Sequence, residues 1–324
     1  MAIRSRVSAA IAGRRDCDEL VDSIVQLEED DFPAYFSEIN GRLYSSTCSY
    51  PLPVDGHEHQ RQRALHNILR GTTEQICLAK LRHVLARGRY GLPRALDVGT
   101  GLGTWMLDLA EQLPEVAFHG LDVVPIGTRY PPDNVTFHIH DCKGGLIYPS
   151  ATFDVVHGRL ISLGLPDYGD FLADAIRVLR PGGLLSLCEW TRTIGTADGG
   201  NISHCAPRAC AFLDTLSDVL RSRRGVERTE VLFQKLFGFQ SYFDGGQFAV
   251  VFMPIGDWHE DSALKATGTI YREILVSYAY SMRRLLEEVL PSDVVEALIS
   301  GFVYDLRSSF GLGSSYYTYH GVRV

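Results

Sequence analysis

The sequence predicts an α/β protein: a doubly wound, mostly parallel sheet of seven strands, with a helical segment before it and a helical cap after it. Three observations carry this. The run Ala95-Leu96-Asp97-Val98-Gly99-Thr100-Gly101-Leu102-Gly103-Thr104 reads as an apolar strand, a turn with glycine at alternate positions, and the start of a helix. Further apolar runs alternate with helical patterns, the signature of βαβ units. After Trp190 the apolar spacing becomes mostly helical.

The elements follow in order. Residues 1–38 read as a helical arm, with Leu20, Ile24, Val25 and Leu27 as a partial apolar stripe and acids from Asp16 onward opposite it. Residues 39–190 hold an entry lid, a long helix over 62–87 and the core. The core strands are 95–98, then 116–124 ending near Asp122, 135–142 ending near Asp141, and 153–160. Leu179-Arg180-Pro181-Gly182-Gly183 ends a helix and opens a fifth strand over 184–190. Residues 191–324 form a helical substrate cap plus the final strands. Helices are expected over 206–223, 263–288 and 292–309, the last with Ser292 as its cap. Strands over 247–253 and 315–324 close a Rossmann-like sheet, with a helical insert between them.

The glycine spacing selects the ligand. A dinucleotide loop reads G-x-G-x-x-G and seats a pyrophosphate. Here the third glycine comes one position early, and Asp97 precedes the first by two residues. That carboxylate would repel a pyrophosphate and suits a ligand with a positive end. S-adenosylmethionine carries both an ammonium and a sulfonium. Asp122 is placed to accept hydrogen bonds from ribose hydroxyls, and Asp141 from the adenine amino group. Each falls at the carboxyl end of a parallel strand, where open α/β sheets bind ligands.

With these motifs in place, the chain resembles the class I S-adenosylmethionine-dependent methyltransferases, and more narrowly their fungal LaeA-like group. The likeness covers roughly residues 39–324. Asn40-Gly41-Arg42-Leu43-Tyr44, then Leu52-Pro53 with Asp55, Glu58, Arg61 and His66, is similar to the family's pre-core stretch. Pro254-Ile255-Gly256-Asp257-Trp258 with Asp261, Lys265 and Gly268 is similar to its post-core segment. Val54, Gly56 and Arg63 depart from the pattern. The resemblance implies that the entry segment folds over the cofactor, which gives Tyr44 and His66 a place there.

Methyl transfer is an in-line displacement from a sulfonium, so alignment and exclusion of water dominate and no triad is expected. His157 and Glu189, at strand ends, are the candidates for catalytic assistance. The cofactor set is Tyr44, Asp97, Gly99, Thr100, Gly101, Gly103, Asp122, Val123, Asp141, Cys142 and His157. Arg159 and Trp258 are candidates for the substrate side. His138 and His140 share a strand face but lack a third ligand, so no metal is expected.

Composition narrows the partners. The net charge of −8 argues against nucleic acid, which needs a basic footprint. No apolar run approaches the ~20 residues of a membrane span. Seven scattered cysteines without a C-x-x-C fit reduced thiols, hence a cytoplasmic setting, with the nucleus left open. Arg4, Arg6, Arg14 and Arg15 among small residues are only faintly like a transit peptide. The many aromatics after Trp190 suit an enclosed apolar pocket, so the expected substrate is a small, largely apolar molecule such as a fungal secondary metabolite. Two alternatives stand beside this reading. One is a LaeA-like regulator working through protein partners. The other is an enzyme such as a cyclase that uses the cofactor without methyl transfer. A homodimer is left open.

Overall fold

The computed structural model describes residues 7–10, 24–26, 28–86, 91–165, 167–200 and 202–324. Its strands, in chain order, are β1 (Val7–Ala10), β2 (Ile24–Gln26), β3 (Phe36–Ile39), β4 (Arg42–Ser45), β5 (Arg94–Val98) and β6 (Ala117–Asp122). They continue with β7 (Val135–Ile139), β8 (Phe153–Arg159), β9 (Leu179–Trp190), β10 (Gly195–Thr196), β11 (Phe243–Pro254) and β12 (Leu312–Arg323). The α-helices of seven or more residues are α1 (Gly56–Gly71), α2 (Leu78–Ala86), α3 (Thr104–Ala110), α4 (Tyr168–Val178), α5 (Pro207–Arg224), α6 (Thr229–Phe237), α7 (Ser262–Ser281) and α8 (Ser292–Ser308).

The main sheet has ten strands in the order β10-β12-β9-β8-β5-β6-β7-β1-β2, with β11 on β12. Strands β5 to β9 are mutually parallel, and β12 runs antiparallel between β9 and β11. The seven expected strands are all present, and β1, β2 and β10 extend the sheet beyond them. From β5 the chain winds out through β6 to β7, then returns to the other side of β5 as β8. That reversal opens a crevice at the carboxyl ends, where such sheets bind ligands.

Strand alternation builds both faces. In β8, Val156 packs with Val98, Leu121, Ile161, Phe171 and Leu187. Its neighbour Val155 points the other way, onto Trp105, Phe118 and Leu184. Helix α4 buries Phe171, Leu172, Ala175 and Ile176, one apolar stripe, and Asp167 caps it by accepting from the N–H groups of Gly169 and Asp170. The insert between β11 and β12 holds α7 and α8. Helix α7 is capped by Asp261 and buries Tyr271, Ile274, Leu275 and Tyr278, spaced i, i+3, i+4, i+7.

The structure departs from the sequence reading in four places. The helical arm expected over 1–38 is, where described, two strands and a 3₁₀ turn over Glu29–Tyr35 followed by β3. Val7 pairs with Phe137, so β1 is recruited to a sheet edge that a sequence pattern does not show. The acidic face around Asp16 and Asp22, and the arginines of a transit peptide, lie outside the described residues. The helix expected over 62–87 is two helices. Helix α1 starts earlier, at the Asp55 cap, and ends where the Thr72 and Thr73 hydroxyls donate to the Ile68 and Leu69 carbonyls. The helix over 263–288 also breaks, at Met282. Ser292 is the first helical residue of α8 rather than its cap, because Pro291 already holds the extended conformation before it.

Candidate functional site

The turn after β5 is made possible by glycine. Gly99, Gly101 and Gly103 have φ of +63°, +55° and +73°, a region that L side chains rarely adopt. A Cβ on Gly99 would stand 2.7 Å from Ile161 Cγ2, and one on Gly103 would stand 2.5 Å from Phe137 Cζ. Gly99, Thr100 and Gly101 line the main cavity, whereas Gly103 is closed off beneath Phe137 and serves the fold. Thr100 Oγ1 donates to Asp97 at 2.7 Å, tying the turn to the strand it leaves.

The acids divide the work. Asp122 Oδ2 accepts the Gly101 N–H at 2.8 Å and Oδ1 accepts that of Val124 at 3.1 Å. Burial pushes its carboxyl up to about 6, against those N–H groups, which pull it down, and with Asp97 adding to the rise. An ionised carboxylate has about four acceptor positions, so Asp122 keeps room for further donors. Asp141 is exposed and caps a short 3₁₀ turn through Lys143 N. The thiol of Cys142 is pushed up to about 12 by burial. Val123, Asp141 and Cys142 stand in the same wall as Asp122.

The cavity measures about 230 Å³ and follows the strand ends in sheet order. It passes from Asp141 and Asp122 over the 99–101 turn to the 160–165 turn after β8. It ends among Trp190, Tyr271, Ile274, Leu275, Tyr278 and Tyr316. Helix α1 closes it with Arg61, Gln62, Leu65 and His66, and the 48–54 segment adds Tyr50, Leu52 and Val54. The apolar stripe that docks α7 thus supplies the far wall as well.

Several buried polar groups surround this space. Arg61 donates from Nε and Nη2 to the fully buried Glu58, at 2.9 and 2.5 Å. Arg159 bonds Glu74 and donates to His66 Nδ1 at 2.9 Å. Guanidinium is donor-only, so His66 carries its proton on Nε2 and donates it to Asp108 at 2.9 Å. Arg159 therefore reaches the cavity already held by two acceptors. Glu189 lines the wall too. Burial pushes its carboxyl up to about 7, while Ser162, Arg192 and the N–H groups of Ile161 and Ser162 pull it down. The Tyr278 hydroxyl is buried without a hydrogen-bond partner among the described residues.

Other candidates stand elsewhere. His157 lies outside the main cavity: it is two residues inside the end of β8, which runs on to Arg159. Its ring stacks on Trp105 at 3.9 Å, its Nδ1 lies 2.7 Å from Asp97, and it borders a recess of about 40 Å³. Asp97 is likewise buried and outside the main cavity, held by His157 and Thr100. Tyr44 sits beneath the Arg284 guanidinium at 4.4 Å, and burial raises its pKa. Trp258 donates from Nε1 to the Leu312 carbonyl at 2.7 Å, joining the post-β11 loop to β12. His138 stacks on His119, and no group of three or more His, Cys, Asp or Glu that could hold a metal occurs among the described residues. No helix among them is long and apolar enough to cross a membrane.

The sequence reading gave no site role to Arg61, Arg192 or Tyr278. The i, i+3 spacing of Glu58 and Arg61 on one helix was a usable signal. Arg192 had none, since it reaches the wall through a left-handed φ of +54°.

Residues 95–183 match the family model described as a methyltransferase domain. The chain is 35% identical over 153 residues to the secondary metabolism regulator LaeA of Coprinopsis cinerea, covering 46% of this chain and 38% of that protein. It is 26% identical over 245 residues to the methyltransferase PytC of Aspergillus terreus, covering 72% and 70%. It is 32% identical over 153 residues to the methyltransferase Str2 of Strobilurus tenacellus, covering 46% and 52%. The chain thus spans about two fifths to seven tenths of the length of these relatives. A Haemonchus contortus phosphoethanolamine N-methyltransferase structure aligns over 75% of this chain and 53% of its own, at 17% identity and a TM-score of 0.40.

Proposed function

We propose that this chain, a class I S-adenosylmethionine-dependent methyltransferase of the LaeA-like group, methylates a small, largely apolar acceptor. One observation carries the proposal. A single cavity joins the glycine turn and Asp122 to a compartment walled by Trp190, Tyr271, Tyr278 and Tyr316. Aromatic walls whose neighbouring charges are engaged with one another suit a ligand that is mostly apolar. The names of the LaeA, PytC and Str2 relatives support an acceptor drawn from secondary metabolism.

S-adenosylmethionine is the cofactor, and it supplies an electrophilic methyl on a sulfonium that departs without protonation. The residues fit it. Gly99 and Gly101 leave a cradle that a Cβ would crowd, against Ile161 and Gln62 respectively. Asp122 has acceptor positions left for a ribose diol, and the exposed Asp141 has them for an adenine amino group. Thr100, Val123 and Cys142 complete that wall. Asp97 acts from behind by fixing Thr100, with His157 orienting Asp97. Gly103 and Tyr44 support the turn and the entry segment without facing the cavity. Arg159, pre-oriented by Glu74 and His66, offers the cation for an anionic end of cofactor or acceptor. The α1 residues and the 48–54 segment exclude water from the reacting atoms.

The test is a mass measurement after incubation with S-adenosylmethionine and a panel of polyketide, terpenoid and alkaloid acceptors. A product heavier by one CH₂ supports the proposal. An isomerised product without mass gain would point to a cyclase. Methylation of histone peptides alone would replace the small-molecule reading with a regulatory one.

A further inference from the structure

We infer that Glu189 is a positioning residue: it locks the turn after β8 onto the glycine turn and so sets how firmly the cofactor is held. The inference rests on the cofactor reading above. The locked turn starts at Leu160, whose φ of +58° is left-handed, a conformation that persists in a non-glycine residue only when its surroundings impose it. Its N–H donates to the Cys188 carbonyl at 2.8 Å. The next two N–H groups, of Ile161 and Ser162, both donate to Glu189 Oε1, at 3.0 and 3.1 Å. The Ser162 hydroxyl donates to Oε2 at 2.8 Å, and the Tyr168 hydroxyl lies 3.4 Å from Oε1.

A carboxylate offers about four acceptor positions, and four donors converge on this one. It is 1% exposed. Three of the four crowd Oε1, while Oε2 takes the Ser162 hydroxyl alone, so most of the carboxylate's hydrogen bonding is committed to the turn. Arg192 closes the arrangement from the other side. Its Nη1 donates to Ser162 Oγ at 3.0 Å and its Nη2 to the Glu227 carbonyl. The charged or titratable groups facing Glu189 are thus Arg192, Tyr168 and Cys188.

The lock reaches the cofactor turn through Ile161. With its N–H held by Glu189, the Ile161 side chain fills the space over two glycines. A Cβ on Gly99 would meet Ile161 Cγ2 at 2.7 Å, and one on Gly158 would meet Ile161 Cδ1 at 2.7 Å. A turn free to swing would withdraw Ile161 from Gly99 and leave the cradle open on one side.

Two substitutions separate a lock from a base. Glutamine keeps an amide oxygen for the Ile161 and Ser162 N–H groups, whereas leucine keeps no acceptor. In calorimetric titrations with S-adenosylhomocysteine, Glu189→Gln is expected to bind within about threefold of wild type, and Glu189→Leu at least about tenfold more weakly. Wild-type affinity in Glu189→Leu overturns the inference. So does a Glu189→Gln enzyme that binds normally yet turns over an acceptor from the panel about 10²–10⁴-fold more slowly, the mark of a base. If Glu189→Leu does not fold, Ser162→Ala removes the hydroxyl that donates to Glu189 and, with it, the acceptor of Arg192 Nη1. It is expected to weaken binding about threefold in a chain that still melts cooperatively, and unchanged affinity there overturns the lock. A wild-type chain that binds no S-adenosylhomocysteine would instead fail the cofactor reading itself.

Discussion

At the β5–β7 end of the cavity the wall is largely backbone, shaped by Gly99 and Gly101 and braced by Asp122. At the α7 end it is side chain, with Trp190, Tyr271, Tyr278 and Tyr316 meeting from three elements. The first end is fixed by hydrogen bonds, the second by ring packing such as the edge contact of Trp190 on Tyr278 at 5.1 Å. Backbone geometry at positive φ tolerates few residue types. A packed apolar wall tolerates many.

The sharpest way to break this contrast is Gly101→Val. It should reduce S-adenosylhomocysteine affinity by at least about 100-fold, since the residue holds φ +55° and a branched side chain would enter the cavity. Calorimetry with an undiminished signal would refute the placement of the cofactor. Asp122→Ala should weaken binding by about 1.5–3 kcal/mol, the scale of hydrogen bonds to a charged group.

Asp122 also makes a pH prediction for the ligand-free protein. Its folded value of about 6 lies above the ordinary 3.8. The folded state therefore holds the proton more tightly. The resulting stabilisation is full below about pH 3.8 and is lost as pH rises through about 6. It amounts to on the order of 3 kcal/mol. Asp122→Asn should remove that part of the pH dependence from urea unfolding curves, and a wild-type slope in the variant would contradict the assignment.

The smallest effect belongs to the other end. Tyr278→Phe deletes a buried hydroxyl that has no partner among the described residues. Stability should stay constant or rise by up to about 1 kcal/mol, with cofactor affinity unchanged. A tenfold loss of S-adenosylhomocysteine affinity in that variant would erase the distinction between the two ends. Between these falls a proteolysis test. Residues 39–66 should resist cleavage when S-adenosylhomocysteine is present, because the 48–54 segment and α1 line the cavity. Equal digestion rates would remove the lid from the account.

The same contrast explains what could be read from the sequence. The three glycines, Asp122 and Asp141 each end or follow a strand, and Asp97 lies one residue inside the end of β5, so local pattern places them all near one edge. The expected strand over 153–160 already reaches past His157, which lies two residues inside β8 and turns to Asp97 and Trp105 on a face that strand spacing alone does not assign. Where residues 1–38 are described they hold strands in place of the expected helix, because β1 is defined by its partner β7, 130 positions away in the chain, rather than by its own spacing. Glu189 was found as a strand-end acid, but its four donors come from the 160–168 segment and only coordinates bring them together. Tyr271, Tyr278 and Tyr316 belong to the aromatics after Trp190 that the sequence assigns to a pocket as a class. Which of them face the cavity depends on the docking of α7 against β12, which spacing alone does not give.

The most direct test of the central claim is a calorimetric titration of S-adenosylhomocysteine into the full chain. One site per chain with micromolar affinity, about −8 kcal/mol, is expected. Absence of binding at millimolar ligand, from protein that melts cooperatively, would contradict it.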